Sequence, residues 1–175
     1  TGRLQGDLGR FGASEIRFDI ASDGALVEAI LSAAERSGVP LAPIERWAPD
    51  DHSAWVPLAP LREAAPQAEV IALAISFESP QAHYALGRAV ALALGGSGKR
   101  VAIIASADGA HALSEDGPYG FHAAAPRFEQ EFHAAFEAWD VERVLGFDDA
   151  FRHDAGEDSI PSVSFLMGVL AGRAV

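Results

Sequence analysis

Two short apolar runs stand out in the hydrophobic pattern of the chain, at residues 69–76 and 101–106. Both are rich in aliphatic residues, are too short for an independent helix and end in polar residues, which is typical of buried strands. Residues 15–20 instead alternate polar and apolar side chains, which predicts a half-buried strand. The pattern therefore predicts three strands.

Apolar residues recur at helical spacing in four other stretches, which predict helices over residues 24–37, 81–94, 125–139 and 162–171. Asp23 is the predicted N-cap of the first helix. Glycine-rich residues 1–12 and proline-rich residues 41–60 predict loops, and residues 141–149 a short connection. Alternating strands and helices indicate an α/β fold, a single domain over residues 1–175 with a mostly parallel central sheet flanked by helices.

Composition narrows the class of protein. Hydrophobic residues make up 49% of the chain and charged residues 22%, as in an ordinary soluble domain. A net charge of −12 without a basic cluster argues against a nucleic acid or an anionic membrane as partner. No apolar run could cross a bilayer and no secretory signal is evident, which predicts a cytoplasmic protein. Because the chain has no cysteine, any metal must use His, Asp or Glu.

Candidate chemistry lies in two predicted loops. Asp108 and His111 follow the strand that ends at residue 106, and ligands of α/β sheets bind at the carboxyl ends of strands. His52 follows Asp51, and a carboxylate can orient an imidazole and set its tautomer. The alternative for the first loop, that Asp108 caps a turn and His111 is merely solvated, stays open.

Carboxylates precede the last helix at Glu157 and Asp158, where they could bind a metal or cap that helix, with capping favoured. Two histidines and one carboxylate are the ingredients of the facial triad of non-haem iron(II) oxygenases. A hydrolase built on Ser106, His111 and Asp108 is disfavoured, because no Gly-x-Ser-x-Gly elbow surrounds the serine. The glycine-rich residues 95–99 predict a helix stop, not a phosphate loop, because they lead into a strand.

The sequence resembles the class III extradiol ring-cleavage dioxygenases, in particular catalytic subunits of the protocatechuate 4,5-dioxygenase type. Blocks in the family's order carry the resemblance: Asp51-His52-Ser53 with Val56-Pro57-Leu58, Ser106-Ala107-Asp108-Gly109-Ala110-His111, Gly117-Pro118-Tyr119-Gly120-Phe121 with Pro126-Arg127-Phe128-Glu129, and Ala155-Gly156-Glu157-Asp158 with Met167-Gly168. The chain departs from the family at Ser53 and Ala107, which are usually Gly, and at Gly109-Ala110, which is usually Leu-Ser.

The resemblance implies roles for four residues. Glu157 would be the carboxylate ligand of an Fe(II) cofactor, Asp108 and His111 would be catalytic, with His111 as the acid/base residue, and His52 would assist near substrate or bound oxygen. The family's two iron-binding histidines would lie upstream of Thr1, so the chain resembles the later two thirds of such a protein and is expected to lack an N-terminal segment.

The resemblance also implies the reaction and the partners. The substrates would be a small aromatic diol and dioxygen, and the protein would form a homo-oligomer or a complex with a small accessory subunit. The rival interpretation is a Memo-like protein of the same fold, which binds a metal or a ligand without ring cleavage.

Overall fold

A computed structural model describes residues 2–45 and 47–173 of the chain. This part of the chain is rich in helix and contains one two-stranded antiparallel sheet. The elements are β1 (Arg3–Leu8), β2 (Ala13–Ala21), α1 (Gly24–Arg36), α2 (His52–Ala64), α3 (Pro80–Ser97), α4 (Ala124–Glu137), α5 (Val141–Leu145), α6 (Asp149–Ala155) and α7 (Ser159–Leu170).

Contacts divide the chain into two compact units. The first comprises residues 1–74 and 89–106, and the second comprises residues 75–88 and 107–175. Each unit has its own buried apolar cluster.

The first unit begins with a hairpin in which β1 pairs antiparallel with β2. The strand predicted over residues 15–20 is confirmed, whereas the loop predicted over residues 1–12 is wrong, since β1 and a 3-10 turn occupy most of it. Gly6 explains the error. It lies opposite Phe18, and a Cβ there would overlap the Pro49 carbonyl and the Trp55 indole, so this glycine serves close packing inside a strand.

Helix α1 begins where the sequence predicts. The Asp23 carboxylate accepts a hydrogen bond from the Leu26 N–H at 3.1 Å, and Lys99 forms an ion pair with the same carboxylate. The bond from Lys99, followed by that from Leu26, lowers the pKa of Asp23 below its ordinary value. Asp23 therefore joins the start of α1 to the segment after α3.

Helix α2 corrects the prediction of a loop over residues 41–60. Asp51 caps it by accepting bonds from the backbone N–H and the hydroxyl of Ser53, at 3.0 and 2.6 Å. The helix contains Pro57 and Pro60, each of which removes one backbone hydrogen bond. The fully buried Trp55, stacked on Phe18 with 4.9 Å between ring centroids, outweighs that local preference.

The described residues contain no strand at 69–76 or 101–106, where the sequence predicts two, and the parallel central sheet is not seen among them. A strand forms only with a hydrogen-bonded neighbour, and β1 and β2 are each other's partners. Apolar side chains in these segments are correspondingly open to solvent: Ile75, Val101 and Ile104 are 50%, 42% and 46% exposed.

Helices α4 to α7 build the second unit around Phe128, Ile160 and Met167, which have no exposed surface. The predictions for residues 125–139 and 162–171 are confirmed as α4 and α7, although α7 begins three residues early. The short connection predicted over residues 141–149 is wrong, because it contains α5 and the start of α6. Asp140 and Asp148 cap these two short helices through the N–H groups of Arg143 and Phe151.

The described helices include none that combines the length and the apolar character needed to span a bilayer.

The close approach at Gly6 predicts a destabilised variant. Gly6→Ala should lower the free energy of unfolding by about 1–3 kcal/mol, because the new methyl group would force apart β1 and the Trp55 ring. Urea denaturation measures the change. Gly24→Ala is the matched control, since a Cβ there meets nothing within 4 Å, and an equal loss in both variants would contradict the packing argument.

The Asp23 ion pair predicts a pH dependence. Its lowered pKa means that the pair stabilises the fold above the carboxyl's ordinary pKa of 3.8, and that this contribution is lost as the pH falls through the lower, folded pKa. The stability difference between the wild type and Asp23→Asn should therefore be larger at pH 7 than at pH 3 in urea denaturation. The exposed Asp50→Asn is the control. A difference for Asp23→Asn that is independent of pH would contradict the pairing.

Candidate active site

The loop that carries Asp108 and His111 is fastened to the connection between α6 and α7. Ala110 and Glu157 form an isolated antiparallel bridge, and the N–H groups of His111 and Ala112 donate to the carbonyls of Gly156 and Ala155, both at 3.1 Å. Gly156 adopts the left-handed conformation, with φ 65°, that ends α6. The sequence thus brings two distant segments side by side through backbone hydrogen bonds.

This attachment fixes the protonation pattern of His111. Its Nδ1 lies 2.6 Å from the Gly156 carbonyl oxygen, which can only accept, so Nδ1 carries the hydrogen and donates it. In the neutral ring, Nε2 therefore holds the free lone pair. The side chain is 27% exposed, and the Tyr119 ring lies beside it with 5.0 Å between centroids. His111 can thus exchange a proton at Nε2.

Two carboxylates flank Nε2. Asp108 Oδ2 lies 3.6 Å from it, and the Asp108 N–H donates to Asp158 Oδ1 at 3.2 Å. One ligand atom from each of Asp108, His111 and Asp158 lies within 4.8 Å of the others, a donor set that suits a divalent cation. Although Asp158 is exposed as a residue, partial desolvation raises the pKa of its carboxyl above the ordinary value, against the opposing effects of His111 and the Asp108 N–H.

Glu157 lies next to this cluster but is buried and bonded. Its side chain has no exposed surface, and Oε1 accepts from Arg152 Nε at 2.5 Å. Oε2 accepts from the Ile160 N–H at 2.9 Å and from the Ser159 hydroxyl at 3.1 Å, so the residue caps α7. Capping was the favoured interpretation from sequence for Glu157 and Asp158. The Ile160 bond confirms it for Glu157, whereas Asp158 makes no side-chain cap bond to α7. The assignment of Glu157 as a metal ligand stays a prediction.

His83 and His133 lie in helices and have structural or surface roles. His83 is buried, donates from Nδ1 to the Ser79 carbonyl at 2.9 Å and accepts from the Ser76 N–H at 3.2 Å, so its role is structural. His133 pairs with Glu129 on the surface of α4.

His52, the first residue of α2, lies in the first unit with its ring 5.7 Å from that of Phe11. Asp51 Oδ1 accepts both of its bonds from Ser53, and an orienting effect of this carboxylate on His52 stays a prediction.

The Asp108 carboxylate lies 3.6 Å from His111 Nε2, and backbone bonds hold the His111 loop beside Gly156 and Glu157. Asp108 neither caps a turn nor leaves His111 simply solvated, since the imidazole has a carbonyl on one side and a carboxylate on the other. The role of His52 near substrate or bound oxygen stays a prediction, because His52 belongs to the other unit. Sequence reasoning missed the convergence of Asp158 on His111, which follows from a bridge between residues far apart in the chain.

The burial of Glu157 predicts a large stability effect. Glu157→Ala should lower the free energy of unfolding by about 3 kcal/mol or more, because it leaves the largely buried Arg152 without its closest partner. Glu131→Ala, which removes exposed pairs with Arg127 and Arg143, should cost about 1 kcal/mol or less. Urea denaturation of both variants is the measurement. Equal losses would show that Glu157 contributes no more than a surface carboxylate.

Comparisons with known proteins agree with the sequence resemblance. Protein CA_C1420 of Clostridium acetobutylicum is 31% identical over 123 residues, which are 70% of this chain and 26% of that protein. The chain therefore spans 26% of the length of the curated relative that it matches. The sequence model of a family described as the catalytic LigB subunit of aromatic ring-opening dioxygenase matches residues 1–175. With a match over its whole length, the chain belongs to this family of aromatic ring-opening dioxygenase subunits.

Proposed function

We propose that this protein is a non-haem iron(II)-dependent extradiol dioxygenase that opens a catechol-type ring with dioxygen. The observation that carries the proposal is the His111 imidazole, which has a fixed tautomer, a partly exposed side chain and a neighbouring carboxylate in a chain of the LigB family. A catechol must lose a hydroxyl proton before its ring becomes electron-rich enough to react. A neutral imidazole accepts such a proton near neutral pH.

The proton step uses the geometry described above. Nε2 of His111 takes the hydroxyl proton, while Nδ1 keeps its own bond to the Gly156 carbonyl. The resulting imidazolium lies beside the Asp108 carboxylate, 3.6 Å away, which stabilises the positive charge. The same Nε2 later returns the proton to the oxidised product. Asp108 and His111 thus act as a pair.

The proposed metal ligands include residues that are expected from the family resemblance upstream of Thr1. Bound iron(II) would supply a shared binding site for the diol and dioxygen and a route for electrons from the diol, which is oxidised, to dioxygen, which is reduced. Glu157 is proposed as one ligand, and two histidines upstream of Thr1 as the others. The carboxylate fits this role by its chemistry, because Oε1 accepts one hydrogen bond and keeps a second lone pair. His52 is proposed to stabilise negative charge on oxygen.

The parallel sheet is also part of the proposal. Residues 101–106 in the first unit present exposed apolar side chains, Val101 and Ile104 among them, as strands without neighbours do. We propose that these residues pair in a parallel sheet when upstream strands are present. The substrates are then a small aromatic diol and dioxygen, bound by a homo-oligomer or a complex with a small accessory subunit.

A second candidate function is a Memo-like protein that binds a metal or ligand without cleaving a ring. The observation in its favour is the Glu157 carboxylate, which is buried and bonded to Arg152, Ser159 and Ile160. A ligand in that state would have to share its oxygen with a guanidinium. The two candidates differ in turnover, not in metal binding.

The test compares the 175-residue chain with a version extended upstream to include paired histidines. Iron(II) titration by calorimetry should give weak binding to the short chain and tight, stoichiometric binding to the long one. The short chain holds only one of the three proposed ligands, and its cluster of Asp108, His111 and Asp158 lacks the second histidine of a facial triad. The long protein, loaded with iron, is then assayed for ring opening of catechol, protocatechuate and gallate by the absorbance of the product. Iron-bound protein that cleaves none of them supports the Memo-like candidate.

Variants of the long protein separate the roles. His111→Ala should reduce kcat by about 10²–10⁴-fold and leave iron bound, because a proton-transfer residue is not a ligand. Glu157→Ala should lose iron, and the exposed His153→Ala is the control that should change neither. Equal loss of iron in the first two variants would contradict the division of roles. Tight binding and ring cleavage by the short chain would reassign His52 and His111 as ligands.

A further inference from the structure

Glu129 on α4 contacts the back of the loop that presents Asp108 and His111. Its Oε1 accepts a hydrogen bond from the Ala110 N–H, and Oε2 lies 3.1 Å from His133 Nε2. The side chain is 26% exposed, so the first bond lies in a partly desolvated place. A hydrogen bond to an ionised acceptor in such a place is among the stronger ones in proteins.

The loop is otherwise held from the opposite direction. The N–H groups of Asp108, His111 and Ala112 donate to residues of the segment 155–158. The Ala110 N–H, between those of Asp108 and His111 in the chain, instead donates to Glu129 on α4. Residues 108–112 are thus fastened between two elements, and Glu129 is the attachment on the α4 side.

Gly109 and Glu129 fit together sterically. A Cβ at position 109 would overlap the Glu129 carboxyl oxygens and its carboxyl carbon, so the absence of a side chain at Gly109 makes room for the carboxylate. Helix α4 cannot retreat easily, because Phe128 and Phe132 stack in the core with 5.6 Å between ring centroids. Position 109 therefore decides whether Glu129 can reach Ala110.

We infer that Glu129 is a positioning residue, whose carboxylate, seated in the space left by Gly109, holds the turn that sets Asp108 against His111. Its carboxylate oxygens bond the Ala110 N–H and pair with His133, so it acts through the Ala110 backbone. The effect on turnover rests on the proposed function, whereas the effect on the loop does not.

The loop is tested in the 175-residue chain by amide hydrogen exchange at Ala110 and His111, followed by NMR. Glu129→Ala should speed exchange at Ala110 by about tenfold or more, the factor expected for loss of a charge-assisted hydrogen bond. Glu129→Gln keeps an acceptor oxygen in place and should restore most of the protection. Glu131→Gln, two residues along α4 and paired with Arg127, is the matched control and should leave both amides unchanged.

The steric partner supplies a second, independent test. Gly109→Ala should speed exchange at Ala110 as Glu129→Ala does, because the new methyl group displaces the carboxylate. The double variant should then be no faster than either single variant, since both remove the same contact. Additive effects, or unchanged Ala110 exchange in Glu129→Ala, would overturn the inference.

Turnover is measured in the iron-loaded long protein. Glu129→Ala should lower kcat about tenfold with KM unchanged, as expected when a proton-transfer group is held less accurately, and Glu129→Gln should recover most of it. A wild type without ring cleavage would overturn the proposed function and leave the exchange results to decide on Glu129. An active wild type whose kcat survives Glu129→Ala would overturn the positioning role.

Discussion

The candidate site depends on a buried carboxylate. The Glu157 side chain has no exposed surface, and three donors from α6 and α7 bond its two oxygens. Burying a charge is costly unless it is paired and bonded, and Arg152 supplies the opposite charge. Because Glu157 also bridges to Ala110, the same residue that orders the turn between two helices anchors the loop of His111. Stability and the candidate chemistry therefore share one interaction.

The site is built mainly from backbone, which explains how a surface loop can hold a reactive group still. The Gly156 carbonyl accepts bonds from both the N–H and the ring of His111, so one peptide group sets the position and the tautomer of the imidazole. The side chains then provide charge, from Asp108 and Asp158. Substitutions that leave the backbone path intact can alter the chemistry without unfolding the loop.

Sequence reasoning succeeded where local chemistry decides the outcome. The cap at Asp23 and the periodicity of α4 act within a few residues, and both are confirmed. Sequence reasoning failed where the local structure depends on a residue far away in the chain. Gly6 lies in a strand because β1 pairs with β2 and Trp55 packs closely against it, and the buried Trp55 also offsets the cost of the prolines in α2. The strand predicted over residues 101–106 needs a neighbour that local pattern cannot supply. The same distinction applies to the candidate site. Asp108 and His111 can be identified from the sequence, whereas the proximity of Asp158 depends on the bridge between Ala110 and Glu157, which lie far apart in the chain.

The bond between His111 Nδ1 and the Gly156 carbonyl limits the route by which protons can reach and leave the imidazole. An imidazole free in solution can load a proton on one nitrogen and unload it from the other, and so pass protons through itself. Here one nitrogen is occupied by a permanent backbone acceptor, and turning the ring over would break a 2.6 Å hydrogen bond. His111 therefore cannot pass a proton from one ring nitrogen to the other. In the proposed reaction, a proton that Nε2 accepts from a bound molecule must also leave from Nε2. A group that accepts and returns a proton at one atom needs no second proton path through its other ring nitrogen.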